Sequence, residues 1–367
     1  MMKRLLLLSL FVPFCTKSVA QIPGALRIPY GQPDILSVAP DARISGMGYA
    51  GVALSPDANA TYINPAKLAS ATNDFGASAS FFRWLPALVD DYWIGYASAY
   101  KKLGEKQAIS ASVQYFDYET WLINGDTKQL ADLAISAAYS RQLGKNFSMG
   151  ATLKYISSDL GYAYVNAGTI KKGQSVAADI SAYYHKQVTG GQSGEDFNWS
   201  LGVIASNLGN KIDFGSSGKY FLPAKLRIGG GLSYTATGKH RINLVADLSK
   251  LMVPTPTASQ NGQNGAVLKG ALRSFSDAPG GFKEEMQEIM FSVGAEYWYK
   301  NVVALRGGYY GENQKKAGQQ IITVGAGARI FRNFNADLAY IIPLKEGSPL
   351  AETLRTTVSF YIPGKKG

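Results

Sequence analysis

Ile322-Thr323-Val324-Gly325-Ala326-Gly327-Ala328-Arg329-Ile330 repeats with a period of two. Ile322, Val324, Ala326, Ala328 and Ile330 make one face apolar, while Thr323, Gly325, Gly327 and Arg329 keep the other small or polar. Successive side chains of a strand point to opposite sides, so this stretch reads as a β-strand with two unlike faces. The pattern recurs. Phe147, Met149, Ala151, Leu153 and Tyr155 alternate with Ser148, Gly150, Thr152 and Lys154, and Ile242, Leu244, Ala246 and Leu248 alternate with Arg241, Asn243 and Asp247. Counted outward from here, about fourteen segments read as strands. They lie near 75–83, 92–101, 107–117, 130–141, 145–157, 174–186, 196–206, 223–235, 239–249, 288–300, 302–311, 318–331, 334–343 and 352–362. Most are longer than strands of soluble sheets and suit a tilted strand that crosses a bilayer.

The connections alternate in length. Lys102 to Lys106, Gln142 to Gly144, Ala236 to Gly238, Lys300-Asn301 and Arg332-Asn333 are tight. Trp84 to Asp91, Tyr118 to Gln129, Ser158 to Gly173, Asn207 to Leu222, Lys250 to Gln287 and Leu344 to Ala351 are long. Gln187 to Glu195 is a long exception on the tight side. Short turns at one end and long loops at the other are the habit of outer-membrane barrels, whose short turns face the periplasm. The expected fold is therefore all-β: a transmembrane antiparallel β-barrel of about fourteen strands over 75–363. Short helices are expected in the longest loop, near Ala266 to Phe275 and Phe282 to Ile289.

Composition agrees. The 367 residues include 40 Gly, 22 Tyr and 16 Phe, with 17% charged. Residues 1–20 read as a signal peptide: Lys3 and Arg4, the apolar run Leu5 to Phe14, then Ser18-Val19-Ala20 before Gln21. The one cysteine, Cys15, falls inside it, which leaves no disulfide or thiolate chemistry for the rest. The net charge of +11 suits loops beside anionic lipid and lipopolysaccharide better than nucleic-acid binding. Residues 21–74 are expected to form a plug with short helices, beneath or inside the barrel on the short-turn side, and 364–367 a tail. Within the plug, Ser55-Pro56-Asp57 and Asn64-Pro65-Ala66 each place a capping residue before proline, as at a helix start. Asp41 and Arg43 are expected to pair there, because a charge in a lumen needs a partner.

Asp41-Ala42-Arg43 leading to Gly46-Met47-Gly48, then Ser55 to Ala58, then Asn64-Pro65-Ala66-Lys67-Leu68-Ala69, followed by Trp84-Leu85-Pro86 and Leu88-Val89-Asp90-Asp91, form an ordered series. In that order they resemble the PorV family, the outer-membrane shuttle proteins of the type IX secretion system in Bacteroidota. The wider FadL-like barrel superfamily shares the Asn-Pro-Ala element. The resemblance implies a non-enzymatic protein of the bacterial outer membrane. It would bind the C-terminal signal domains of cargo at the translocon barrel and carry them to a sortase or attachment complex. It implies no cofactor and no metal. Luminal residues of interest are then Asp41, Arg43, Gly46, Met47, Gly48, Asn64 and Pro65. Candidate partner-binding loop residues are Trp84, Leu85, Leu88, Val89, Trp121 and Leu122, apolar side chains where the topology places them outside the cell.

Two other readings stand beside this one: a FadL-type channel for hydrophobic small molecules, and an enzyme acting on lipid A. The second has little to rest on. There is no G-x-S-x-G, P-loop or H-E-x-x-H. The two histidines, His185 and His240, fall near the short-turn rim, and Asp90-Asp91 and Glu284-Glu285 read as solvated loop charges. Intact-mass measurement of protein from outer membranes should give a chain beginning at Gln21, and a mass retaining residues 1–20 would contradict the signal-peptide reading.

Overall fold

The computed structural model describes residues 27–123, 126–160, 171–189, 195–216, 218–257 and 262–364. The expected signal peptide (1–20) and the tail beyond residue 364 lie outside the described residues. Sixteen strands are numbered in chain order. β1 (Asn73–Arg83), β2 (Trp93–Lys102), β3 (Gln107–Ile123), β4 (Asp126–Gln142), β5 (Phe147–Ser158), β6 (Gly173–Thr189) and β7 (Asp196–Gly209) make half the wall. β8 (Ile212–Asp213) and β9 (Lys219–Tyr220) form a small hairpin within a long loop. β10 (Lys225–Ala236), β11 (His240–Leu251), β12 (Met290–Tyr299), β13 (Val303–Gly311), β14 (Gln320–Phe331), β15 (Phe334–Pro343) and β16 (Leu354–Pro363) make the other half. All wall strands pair antiparallel with their sequence neighbours, and β1 pairs with β16 to close a fourteen-strand barrel.

The alternation decides which side chains face out. On β5, Leu153 is 73% exposed while its neighbour Thr152 is 1% exposed. Ile135, Ile180, Ile228, Leu248, Val324 and Val358 likewise lie bare on the outer wall. Ser98, Gln114, Ser181, Asp247, Glu296, Arg306, Thr323 and Arg355 are buried inside. A water-soluble barrel would do the reverse, because apolar surface in water is unfavourable by about 25 cal/mol per Å². Closure also leaves no unpaired strand edge, which is what a low-dielectric surround demands.

The tight turns match the sequence reading. Between β12 and β13, Lys300 and Asn301 both take positive φ (51° and 55°), the backbone hand that suits a two-residue hairpin. Two long connections differ from expectation. Tyr118 to Gln129 is largely strand: a bulge after Asp117, where Glu119 takes φ +64°, lets β3 and β4 continue to Ile123 and Asp126. The Gln187 to Glu195 stretch is shortened in the same way, since β6 runs to Thr189. Two single turns of α-helix, α1 (Ala42–Ser45) and α2 (Ala60–Ile63), precede the wall, and the longest loop carries α3 (Val267–Arg273) and α4 (Phe282–Gln287), as expected for that loop.

Arginine at Leu153, near the middle of β5 on the bare outer face, should lower stability in a bilayer by about 2–4 kcal/mol. Denaturant titration of liposome-reconstituted protein measures this, and an unchanged midpoint would mean that this face does not meet lipid.

Candidate functional site

The barrel encloses part of its own chain. Residues 34–37, 42–45, 60–63 and 65–70 form single turns of helix, and most of residues 35–71 are buried. The segment does not simply sit on the short-turn side. Gln32 N donates to Phe221 O (2.8 Å), Gln263 Nε2 to Tyr30 O (3.0 Å) and Lys316 Nζ to Arg27 O (2.8 Å), so residues 27–32 lie at the long-loop mouth. At its other end Lys102 Nζ donates to Ala71 O (3.0 Å), beside a short turn. The chain therefore threads the lumen from the long-loop end to the short-turn end before β1 begins.

Turns this short leave many backbone groups without helical partners. The wall supplies them. Asp247 accepts from Gly51 N (2.8 Å) and Val52 N (3.1 Å). Thr357 Oγ1 accepts from Ala42 N (2.8 Å) and Thr323 Oγ1 from Gly48 N (2.9 Å). Gln114 Nε2 donates to Ile35 O (3.1 Å), Ser200 Oγ to Ala53 O (2.7 Å) and Ser98 Oγ to Ala58 O (2.8 Å). Arg355 reaches Ala39 O and, at 2.8 Å, Ser45 Oγ. Contact is close enough to require glycine on the wall: a Cβ at Gly308 would strike the backbone of Gly48, and one at Gly294 would strike Met47.

The luminal residues singled out from sequence all lie here. Asn64 caps the turn at 65–70, its side chain accepting from Ala66 N (3.1 Å) with Pro65 at the first helical position. Its Nδ2 donates to Val52 O (2.9 Å) and to Ala182 O of β6 (3.1 Å). Gly48 has φ +63°, and Met47 packs with Ala50, Leu54 and Val245. Gly46 approaches Gly325 of β14. Ser55-Pro56 starts no helix: Asn59 precedes the turn at 60–63, and Ser55 Oγ accepts from Arg43 instead (2.9 Å).

The expected Asp41–Arg43 pair is absent. Asp41 caps its own turn, accepting from Ile44 N (3.0 Å), and burial, with Asp57 nearby, pushes its carboxyl up to about 7. Arg43 pairs with Asp57 (2.8 Å) and with Glu296 of β12 (2.9 Å). Glu296 also holds Arg306 of β13 (2.7 Å), which reaches Asp337 of β15 (2.7 Å). Glu296, Arg306 and Asp337 were not singled out from sequence. Their signal is available, however: each is a charge on the polar phase of an alternating strand.

The loop candidates separate. Trp84 folds inward, edge-on to Phe82 (6.4 Å) and Phe116 (6.2 Å). Leu85, at φ +52°, packs on the Ile321, Ile341 and Leu350 cluster. Both are half-buried, which corrects their reading as an exposed patch; they cover the mouth. Val89 is half-buried too, and Leu88 is 66% exposed. The side chains of Trp121 and Leu122 lie outside the described residues. Glu284 and Glu285 are not solvated: they pair with Lys316 (2.8 Å) and Lys250 (3.0 Å). His240 is exposed and within 2.8 Å of Tyr297 Oη. His185 stacks on Tyr183 and lines a cavity of about 310 Å³ near the short-turn end, where Asp196, Arg241 and Asn243 mix with Leu54, Trp199 and Val245.

An apolar outer wall, a polar interior and unequal ends define a β-barrel of the bacterial outer membrane, with short turns toward the periplasm. The family model "Type IX secretion system protein PorV" matches residues 27–258, and the chain belongs to that family. No relative among curated protein sequences matches. Among solved structures, the toluene transporter TodX of Pseudomonas putida superposes with a TM-score of 0.51 at 11% identity, covering 92% of this chain and 99% of that one. A Pseudomonas aeruginosa FadL homologue gives 0.46 at 10% identity, covering 91% and 99%. At such identities the likeness to TodX shows the fold alone.

Replacing Glu296 by Gln should leave the buried set of Arg43, Arg306, Asp57 and Asp337 without the carboxylate that both arginines share and lower stability by about 3 kcal/mol. Adding Arg43→Met should cost less than the sum of the two single changes. Denaturant unfolding of the four proteins measures this, and strict additivity would contradict direct coupling.

Proposed function

We propose that this protein is a non-enzymatic carrier in type IX secretion. It binds the C-terminal signal domains of exported proteins at the translocon barrel and delivers them to a sortase or attachment complex. Family membership supports a role as an outer-membrane component of that system. The observation that carries the finer reading is that residues 34–72 hydrogen-bond to strands from around the wall, which supports a lumen closed by its own chain. Work on a large folded cargo then belongs to the extracellular end, where Leu88 stands exposed above the inward-packed Trp84 and Leu85.

A second reading, uptake of hydrophobic small molecules, is favoured by the barrel's likeness to TodX. Such a route needs an apolar path through the interior. The cavity at the short-turn end mixes Leu54, Trp199, Leu232 and Val245 with His185, Asp196, Arg241 and Asn243, so its lining does not separate the two readings, and the carrier rests on family membership and the occupied lumen.

Affinity purification of the native protein from outer membranes should recover the translocon barrel and proteins ending in the signal domain; recovery of neither would remove the carrier reading. Leu88→Asp should weaken cargo recovery about thirtyfold, the effect of losing a contact worth about 2 kcal/mol. Unchanged recovery would move the docking site elsewhere on the rim.

A further inference from the structure

The loop between β11 and β12 meets the mouth through Gln263 and Glu284, which contact Tyr30 and Arg27, but the buried faces of its helices look elsewhere. On the outer wall, Leu201 of β7, Ile228 of β10 and Leu248 of β11 face away from the lumen. The same phase carried upward puts Ala205, Leu226, Ala224 and Met252 on that outer face, with the ladder extended by Met252 N donating to Ala224 O (2.7 Å). Those four residues pack in one cluster with Ala271 of α3. Lys250 shares the outward phase, and it is covered by Glu285 of α4 (3.0 Å) and by Glu288. Both helices therefore rest on the outside of the barrel wall, at its extracellular rim.

Their amphipathicity is inverted. α4 turns Glu285, and Glu288 just beyond it, toward the barrel while Phe282 stands 80% exposed and Met286 51% exposed. α3 buries Gly270 and Ala271 and leaves Leu268 and Leu272 exposed at 73% and 68%. A surface helix in water turns its polar face outward. The wall directly below shows the same inversion in the same direction, and Lys269, Arg273 and Lys283 are exposed among the apolar side chains. Apolar side chains with interleaved long cations are the make-up of a helix lying in the membrane interface, where the aliphatic stems follow the chains and the charged heads reach the phosphates.

We propose that α3 and α4 form a shelf embedded in the outer leaflet, with Leu268, Leu272, Phe282 and Met286 among lipid acyl chains and Lys269, Arg273 and Lys283 at the headgroup anions. The occupant is lipid because the exposed face continues the lipid-facing wall. The shelf would fix the height and rotation of the barrel in the membrane on the β7–β12 side. It rests on the membrane-barrel class and is independent of the carrier reading.

The chain beyond Cys15 has no cysteine, so single-cysteine labelling is available. Leu272→Cys and Phe282→Cys would each carry a nitroxide in the full-length processed protein, reconstituted in phospholipid nanodiscs. Leu248→Cys serves as the lipid-facing reference and Glu346→Cys as the aqueous one, and heat-modifiable migration verifies folding. Relaxation by oxygen exceeding relaxation by a nickel chelate at both shelf positions, as at Leu248, is the expected result. Chelate relaxation exceeding that of oxygen at both positions, as at Glu346, would overturn the proposal and leave this face for water or a protein partner.

Discussion

Irregular backbone at the depth of a membrane survives only where protein satisfies its hydrogen bonds. In this barrel some forty residues of single-turn helices and coil lie in the lumen, and the wall's inward side chains answer their polar groups one by one. Asp247 serving two successive N–H groups, and Arg355 reaching a carbonyl and a hydroxyl, are not interchangeable packing. The arrangement ties the wall to the segment: a lumen emptied of residues 34–72 would leave Asp247 and Arg355 without the backbone groups that they hold and Glu296 without Arg43. Breaking one member of such a buried set costs far more than its net stabilisation.

The same constraint distributes function over the surface. With the interior committed to its own chain, the faces free to meet other molecules are the outer wall, the two rims and the loop helices. The outer wall is apolar to the point that Leu153 and Ile228 stand bare. The periplasmic rim holds a cavity of mixed lining and the extracellular rim mixes Leu88 with paired charges. A carrier of folded domains can work from such a surface with no moving gate, whereas a pore cannot. Membership of the PorV family and a lumen occupied by the protein's own chain both support the proposed carrier role.

Much of this was legible in the chain because alternation is a local signal. Residues 322–330 announce their two faces without help from any neighbour, and the parity of loop lengths orients the barrel. The Asn64-Pro65 cap is equally local, and it is where sequence reading expects it. What was not legible depends on distant partners. Arg43 could be seen to need a carboxylate, but Glu296 lies on β12, and pairing with nearby Asp41 is the natural first guess. Trp84 reads as an exposed loop residue until Phe82 and Phe116 are brought to either side of it. A bulge at Asp117 turned an expected loop into strand, and the thread of residues 27–32 to the far mouth left no mark in composition.

A barrel closed by its own N-terminal segment does its work on its surfaces and conducts no ions. Single-channel recording of the native protein in planar bilayers tests this directly. A silent bilayer is expected, with no stepwise current at either polarity. Steady stepwise ion conductance from the intact, processed chain would contradict it and return the lumen to the role of a passage.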